Sequence, residues 1–179
     1  MRFRVYVLPL AVVAILLHAR VGQGTTILPA EFAEMVARSP LIIHGTVADV
    51  RSRMTAGRRS IESLVTVDVV QPLKGPATSQ IVFRVPNGQV GRYRRITVGA
   101  PEFRSGDEVV LFLDGRPPVV PMPFGLNQGV YRVSRGAGQA MVTPMLTPGA
   151  GRVVRGDPAR RPLTVEAFAR QVRAIVAQP

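Results

Sequence analysis

Catalysis needs a few reactive side chains brought to one point, and this chain has few to offer. It has no cysteine and two histidines, of which only His44 follows residue 24. Without cysteine there is no thiolate nucleophile, no disulfide framework and no zinc site built on sulfur. A single histidine excludes metal sites assembled from several imidazoles. Ser39 and Asp49 lie near His44 in sequence. A Ser-His-Asp triad would need all three to converge beside an oxyanion hole, and no serine here sits in a nucleophile-elbow glycine pattern. A lone strand histidine is more often a packed residue, so a hydrolase built on His44 is the weakest reading. Asp107 and Glu108 are adjacent, and neighbours along a strand face opposite sides, which argues against an acid–base pair. Asp107 reads as a turn residue. The acids are too scattered for an oxygen-rich calcium loop. The sequence therefore assigns no catalytic residue, metal ligand or cofactor.

Binding chemistry is better represented. Gly88-Gln89-Val90-Gly91 is a fragment of a glycine-rich loop without a phosphate-binding lysine or a following helix, and it reads as a strand connection. Beside it lie Arg92, Tyr93, Arg94 and Arg95. Arginines flanking an aromatic ring on a barrel edge suit an anionic glycan, lipid phosphates or a nucleic-acid strand. Aromatic content is only 6%, and an exported protein rarely meets nucleic acid, so that partner is disfavoured. The competing reading of these four residues is a solvated loop.

The address comes from the N-terminus. Arg2 and Arg4 precede an apolar run from Val5 to Leu17, 13 residues long. A helix crossing a bilayer of about 30 Å needs roughly 20. A basic start, a short apolar run and the small residues Gly22 and Gly24 read as a secretory signal over 1–24, cleaved before Thr25. An uncleaved anchor is the alternative. Beyond residue 24 stand 20 basic and 11 acidic residues, a charge of +9. All the basic residues except Lys74 are arginines, spread along the chain rather than massed in one block. About 155 residues are one domain's worth of chain.

The elements that must position these residues can be read from periodicity. Phe32, Met35 and Val36 make one apolar face of a helix from Pro29 to about Arg38, stopped by Ser39-Pro40. Strands follow over 41–50, where Gly45 marks a bulge or a bend in a curled sheet, over 61–70, over 81–85 and over 95–98, with a polar loop at 51–60. Ser105-Gly106-Asp107 is a tight turn leading into Val109–Leu113, whose unbroken apolar character predicts a central strand covered on both faces. Four prolines in 116–125 exclude a regular inner strand there. A hairpin closes the set over 129–134 and 139–143. A Gly/Pro/Arg-rich linker over 145–162 leads to a helix capped by Thr164, with Val165, Phe168, Val172 and Ile175 as its docking stripe. The expected domain plan is 1–24 signal, 25–144 β-domain with its N-terminal helix, 145–162 linker and 163–179 C-terminal helix. The fold class is mainly β: a small OB-like barrel of 6–7 strands, closed or partly open, flanked by two helices. A β-sandwich is the alternative.

The phrases Ser39-Pro-Leu-Ile-Ile-His-Gly-Thr-Val-Ala-Asp-Val50, Val69-Val-Gln-Pro-Leu-Lys-Gly75 and Phe103-Arg-Ser-Gly-Asp-Glu-Val-Val-Leu-Phe-Leu113 resemble a group of uncharacterised exported bacterial proteins. At greater distance they resemble the netrin-like, tissue-inhibitor-of-metalloproteinase-like OB barrel. The resemblance spans about 31–133, and its motifs are structural. Inhibitors of that fold chelate a catalytic zinc through an N-terminal cysteine; this chain has none, so that mechanism does not carry over. The functional expectation is an exported, periplasmic or secreted, non-enzymatic binding domain for an anionic glycan or lipid or for a protein partner. It is not transmembrane once mature, and its oligomeric state is left open. The alternative is a protease-inhibitor-like protein acting through barrel loops.

Overall fold

The structure, a computed structural model, describes residues 30–136, 138–145 and 161–178, without the side chain of Arg58. The expected signal 1–24 and nearly all of the expected linker lie outside them. The chain runs α1 (Phe32–Arg38), β1 (Leu41–Met54), a 3-10 turn (Ala56–Arg58), β2 (Ile61–Lys74), β3 (Gln80–Val85), β4 (Gly88–Val90), β5 (Tyr93–Arg95), β6 (Glu108–Asp114), β7 (Met122–Pro123), β8 (Val130–Arg135), β9 (Ala140–Pro144), β10 (Leu163–Thr164) and α2 (Val165–Val176). The main sheet is antiparallel in the order β10-β9-β8-β6-β1-β2-β3, with β7 also paired to β6, while β4 and β5 form a separate hairpin.

Strand β6 is central, as its composition predicts. It pairs with β1 on one side, from Leu41↔Leu113 to Thr46↔Glu108, and with β8 on the other. Alternation along both strands then feeds two cores. Ile42, Val110, Phe112 and Tyr131 join Phe32, Met35, Phe168 and Val172 of the helices in one cluster. Ile43, Val47, Val109, Leu111 and Leu113 join Val65, Val67, Phe83, Val85 and Phe103 in the other. The first cluster is an aromatic stack, with Tyr131 and Phe168 centroids 4.9 Å apart and Phe32 edge-on to Phe112 at 5.7 Å. The second encloses Phe83 edge-on to Phe103 at 5.2 Å. All six phenylalanines after residue 24 are buried, each contributing about 1.5–3 kcal/mol.

The sheet is not closed. It curls round the second core until Arg84 N–H of edge strand β3 donates to Pro121 O, just before β7, at 2.9 Å. Gly45 makes the curl possible. The β1–β2 register shifts between His44 and Gly45, and a Cβ at Gly45 would lie 2.4 Å from Asp68 O. The irregularity expected at this glycine is a bulge.

Several boundaries differ from the sequence reading. Helix α1 begins at Phe32, because Ala30 and Glu31 are extended rather than helical. Strand β1 extends to Met54 while β2 begins at Ile61 as expected, so the polar loop shrinks to 55–60. Charge pairing supports this part of the hairpin where apolar alternation is absent. Arg53 grips Glu62 Oε1 through Nε at 2.9 Å and Nη2 at 2.8 Å. At its other end β2 continues through Pro72 to Lys74. This is tolerated because β3 pairs only with Ser63–Asp68, leaving β2 with one neighbour at the proline. The strand expected over 95–98 does not form. Gly91, at φ +56°, turns the chain early, so Gly88–Val90 pairs with Tyr93–Arg95 instead.

Leu73-Lys74-Gly75 is a structural clasp. Leu73 is buried in the helix-side core, and Lys74 Nζ donates to Val36 O at 2.5 Å and Ala37 O at 3.0 Å. These carbonyls end α1, where a cation is favoured. Burial pushes the Lys74 ammonium below its ordinary pKa, and the Arg116 guanidinium pushes the same way. Gly75, at φ +92°, faces Pro40 O, which a Cβ would approach to 2.7 Å. Lys74→Met keeps the stem and removes the donors, and is expected to lower stability by about 1.5–3 kcal/mol in urea denaturation. Gly45→Ala is expected to cost about 1–3 kcal/mol by crowding. Unfolding midpoints equal to wild type would remove these roles.

Candidate functional site

The sequence places its reactive residues far apart, and the structure keeps most of them so. At about 3.3 Å per strand residue, Ser39 and Asp49 lie about 16 Å to either side of His44. Ser39 is fully buried, and Asp49 pairs with Arg51 at 2.6 Å. His44 meets Glu108 instead. With Glu108 ionised, His44 Nε2–H donates to its Oε1 at 2.8 Å. Arg135 of β8 closes on the same carboxylate, Nε to Oε2 and Nη2 to Oε1, both 2.7 Å. The Arg135 hydrogen bonds hold the Glu108 carboxyl below its ordinary range against the opposing push of burial, with His44 assisting. Asp107 serves the turn: its Oδ2 accepts from Arg104 N–H at 2.6 Å and pairs with Arg132. The turn docks on β1 through Gly106 N–H to Val47 O and Val47 N–H to Asp107 O, both 2.8 Å. Asp107 and Glu108 thus face different partners. Among the described residues, no group of three or more His, Asp or Glu side chains could hold a metal.

A concavity lies elsewhere among the described residues. The β4–β5 hairpin and segment 96–103 stand against the second core and leave a cleft of 570 Å³. Val50, Val65, Val85 and Phe103 line its depth, Arg94 and Arg95 one wall, and Ile96 and Val98 its mouth. Polar side chains brace it from behind. Ser63 Oγ donates to Asn87 O at 2.8 Å and sits 2.9 Å from Ser52 Oγ. Asn87 Nδ2 donates to Pro101 O at 2.8 Å, and Thr97 Oγ1 to Pro86 O at 2.5 Å. Gly88 fits because a Cβ there would lie 2.5 Å from Ser52 Oγ and 2.6 Å from Ser63 Oγ.

The four residues singled out for an anionic patch all fall on this hairpin, with divided tasks. Arg95 ties β5 to the β1–β2 turn through Ser60 Oγ and Ile61 O. Arg92 lies over the Tyr93 ring, 5.1 Å from its centroid, and donates to Tyr93 Oη at 3.0 Å. Arg94 has Glu102 3.7 Å away, and its side chain is 60% exposed. From residue 69 to 101 there is no acidic residue but five basic ones, Lys74, Arg84, Arg92, Arg94 and Arg95. Arg92, Tyr93, Arg94 and Arg95 were visible in the sequence as a patch. The contributions of Ile96, Val98 and the Asn87–Pro101 bracket were not, because segment 95–98 read as a strand.

No helix among the described residues is long and apolar enough to cross a membrane. Compared with protein-family models, curated proteins and solved structures, the chain matches none.

The Glu108 network carries a pH signature with a fixed sign. A carboxyl held low in the folded state stabilises above its unfolded pKa, near 4.5, and loses that contribution as pH falls through the folded value. Glu108→Gln is therefore expected to be less stable than wild type at neutral pH by about 1–3 kcal/mol. The gap should narrow on acidification below pH 4.5. Parallel stability curves for the two proteins between neutral and acid pH would contradict this.

Proposed function

We propose that this chain is an exported, non-enzymatic binding domain that takes an anionic ligand at the mouth of the cleft beside the β4–β5 hairpin. The cleft itself carries the reading: 570 Å³ of space with Arg94 and Arg95 on one wall and Ile96 and Val98 at the mouth. An excess of fixed positive charge beside a low-dielectric wall concentrates anions. Export rests on the basic and apolar leader, and the non-enzymatic reading on the separation of His44 from Ser39 and Asp49. We also propose that the curled sheet is a partly open OB-like barrel resembling the netrin-like group. The enclosed core and the Arg84–Pro121 hydrogen bond support it.

Binding to immobilised phosphatidylglycerol and to a sulfated glycan, across a salt series, tests the site. The triple substitution Arg92→Ala, Arg94→Ala, Arg95→Ala is expected to weaken binding at least about tenfold, since each surface arginine contributes on the order of 1 kcal/mol. Arg51→Ala, Arg170→Ala, Arg173→Ala removes equal charge elsewhere and should matter much less. Equal losses in the two triples would make binding a property of net charge. No binding to either matrix at low salt would remove the anionic-ligand reading.

A further inference from the structure

We propose that the mouth of this cleft is a docking surface for an anionic lipid bilayer, an assignment that rests on the reading of the cleft as an anion-binding site. Seven large hydrophobic side chains are exposed among the described residues, and three of them, Tyr93 at 55%, Ile96 at 72% and Val98 at 89%, fall within one six-residue stretch. Thr97 between the last two turns its hydroxyl inward to Pro86 O. Val98 and Gly99 form the tip of a turn closed by Ala100 N–H donating to Thr97 O at 3.0 Å, which leaves Ile96 and Val98 in solvent at the mouth of the cleft.

Arginines accompany them. Arg94 and Arg95 line the same cleft as Ile96 and Val98, and Arg92 lies over the Tyr93 ring. The carboxylate of Glu102 approaches Arg94 to 3.7 Å. Apolar tips among guanidinium groups match the boundary between headgroup phosphates and acyl chains, with a tyrosine at the level between them. The polar atoms of the cleft argue against a sugar. The Ser63 and Thr97 hydroxyls and the Asn87 amide are already bonded to backbone carbonyls within the protein. A glycan would find few open hydrogen-bonding partners and would leave Ile96 and Val98 in water. A bilayer satisfies the arginines with phosphate and covers the apolar tips.

The chain contains no tryptophan, so Val98→Trp in the full chain installs a single reporter at a site exposed enough to accept it. On adding vesicles of equal parts phosphatidylglycerol and phosphatidylcholine, its emission should shift to shorter wavelength, and acrylamide quenching should fall several-fold. Phosphatidylcholine vesicles alone should do neither, and salt should reverse both changes. Val176→Trp, on α2, shares the same apolar leader and should stay exposed throughout, which separates docking of this face from insertion of the leader. The proposal is overturned if Val98→Trp stays exposed while the protein sediments with vesicles, or if a sulfated glycan and not the vesicles shifts it. In either case, arginine-dependent binding of soluble anions would leave the cleft's anion-binding role standing. Loss of all arginine-dependent anion binding would end both.

Discussion

Burial of β1 and β6 on both faces is the constraint from which the rest of this structure follows. Leu41–Val47 and Val109–Leu113 present apolar side chains alternately to two sides, and each side must be kept from water. The helices cover one, with Phe32, Phe168 and Val172 packed on Ile42 and Phe112. Among the described residues no helix covers the other, and the sheet curls over it, bringing β3 back towards the segment before β7. One strand pair thus demands two different covers. The curl in turn needs places where the backbone can bend, which Gly45 supplies at the β1–β2 bulge.

The helix cover is clasped rather than simply laid on. Lys74, the single lysine of the chain, closes the C-terminal end of α1 from the end of β2. Its compact ammonium reaches two adjacent carbonyls, Val36 O and Ala37 O. The phrase Leu73-Lys74-Gly75, which suggested a structural family motif, is accounted for residue by residue: core anchor, helix cap, and a turn pressed against Pro40.

Polar chemistry is divided between two regions. On one side of β6, His44 and Arg135 both hydrogen-bond the Glu108 carboxylate, which suits a structural role. At the cleft the polar atoms are also satisfied internally, but Arg94 remains mostly open and apolar tips stand beside it. The first region uses up its charge; the second presents it. That difference separates the candidate site from the rest of an arginine-rich surface.

The sequence by itself determined the mainly-β class, the two helices and their apolar faces, the central place of Val109–Leu113, the irregularity at Gly45 and the grouping of Arg92, Arg94 and Arg95 around Tyr93. These are local signals, written in periodicity and turn residues. Tertiary structure decided what depends on chain segments meeting from far apart. His44 and Glu108 are 64 positions apart and Asn87 and Pro101 are 14 apart, and no pattern near either residue announces its partner. The polar ends of the β1–β2 hairpin formed because Arg53 meets Glu62 across the strands, which outweighs the missing alternation. The strand expected at 95–98 gave way because Gly91 turned the chain sooner and Thr97 found Pro86. Local propensity sets what a segment can be, and cross-chain hydrogen bonds and burial select among those possibilities.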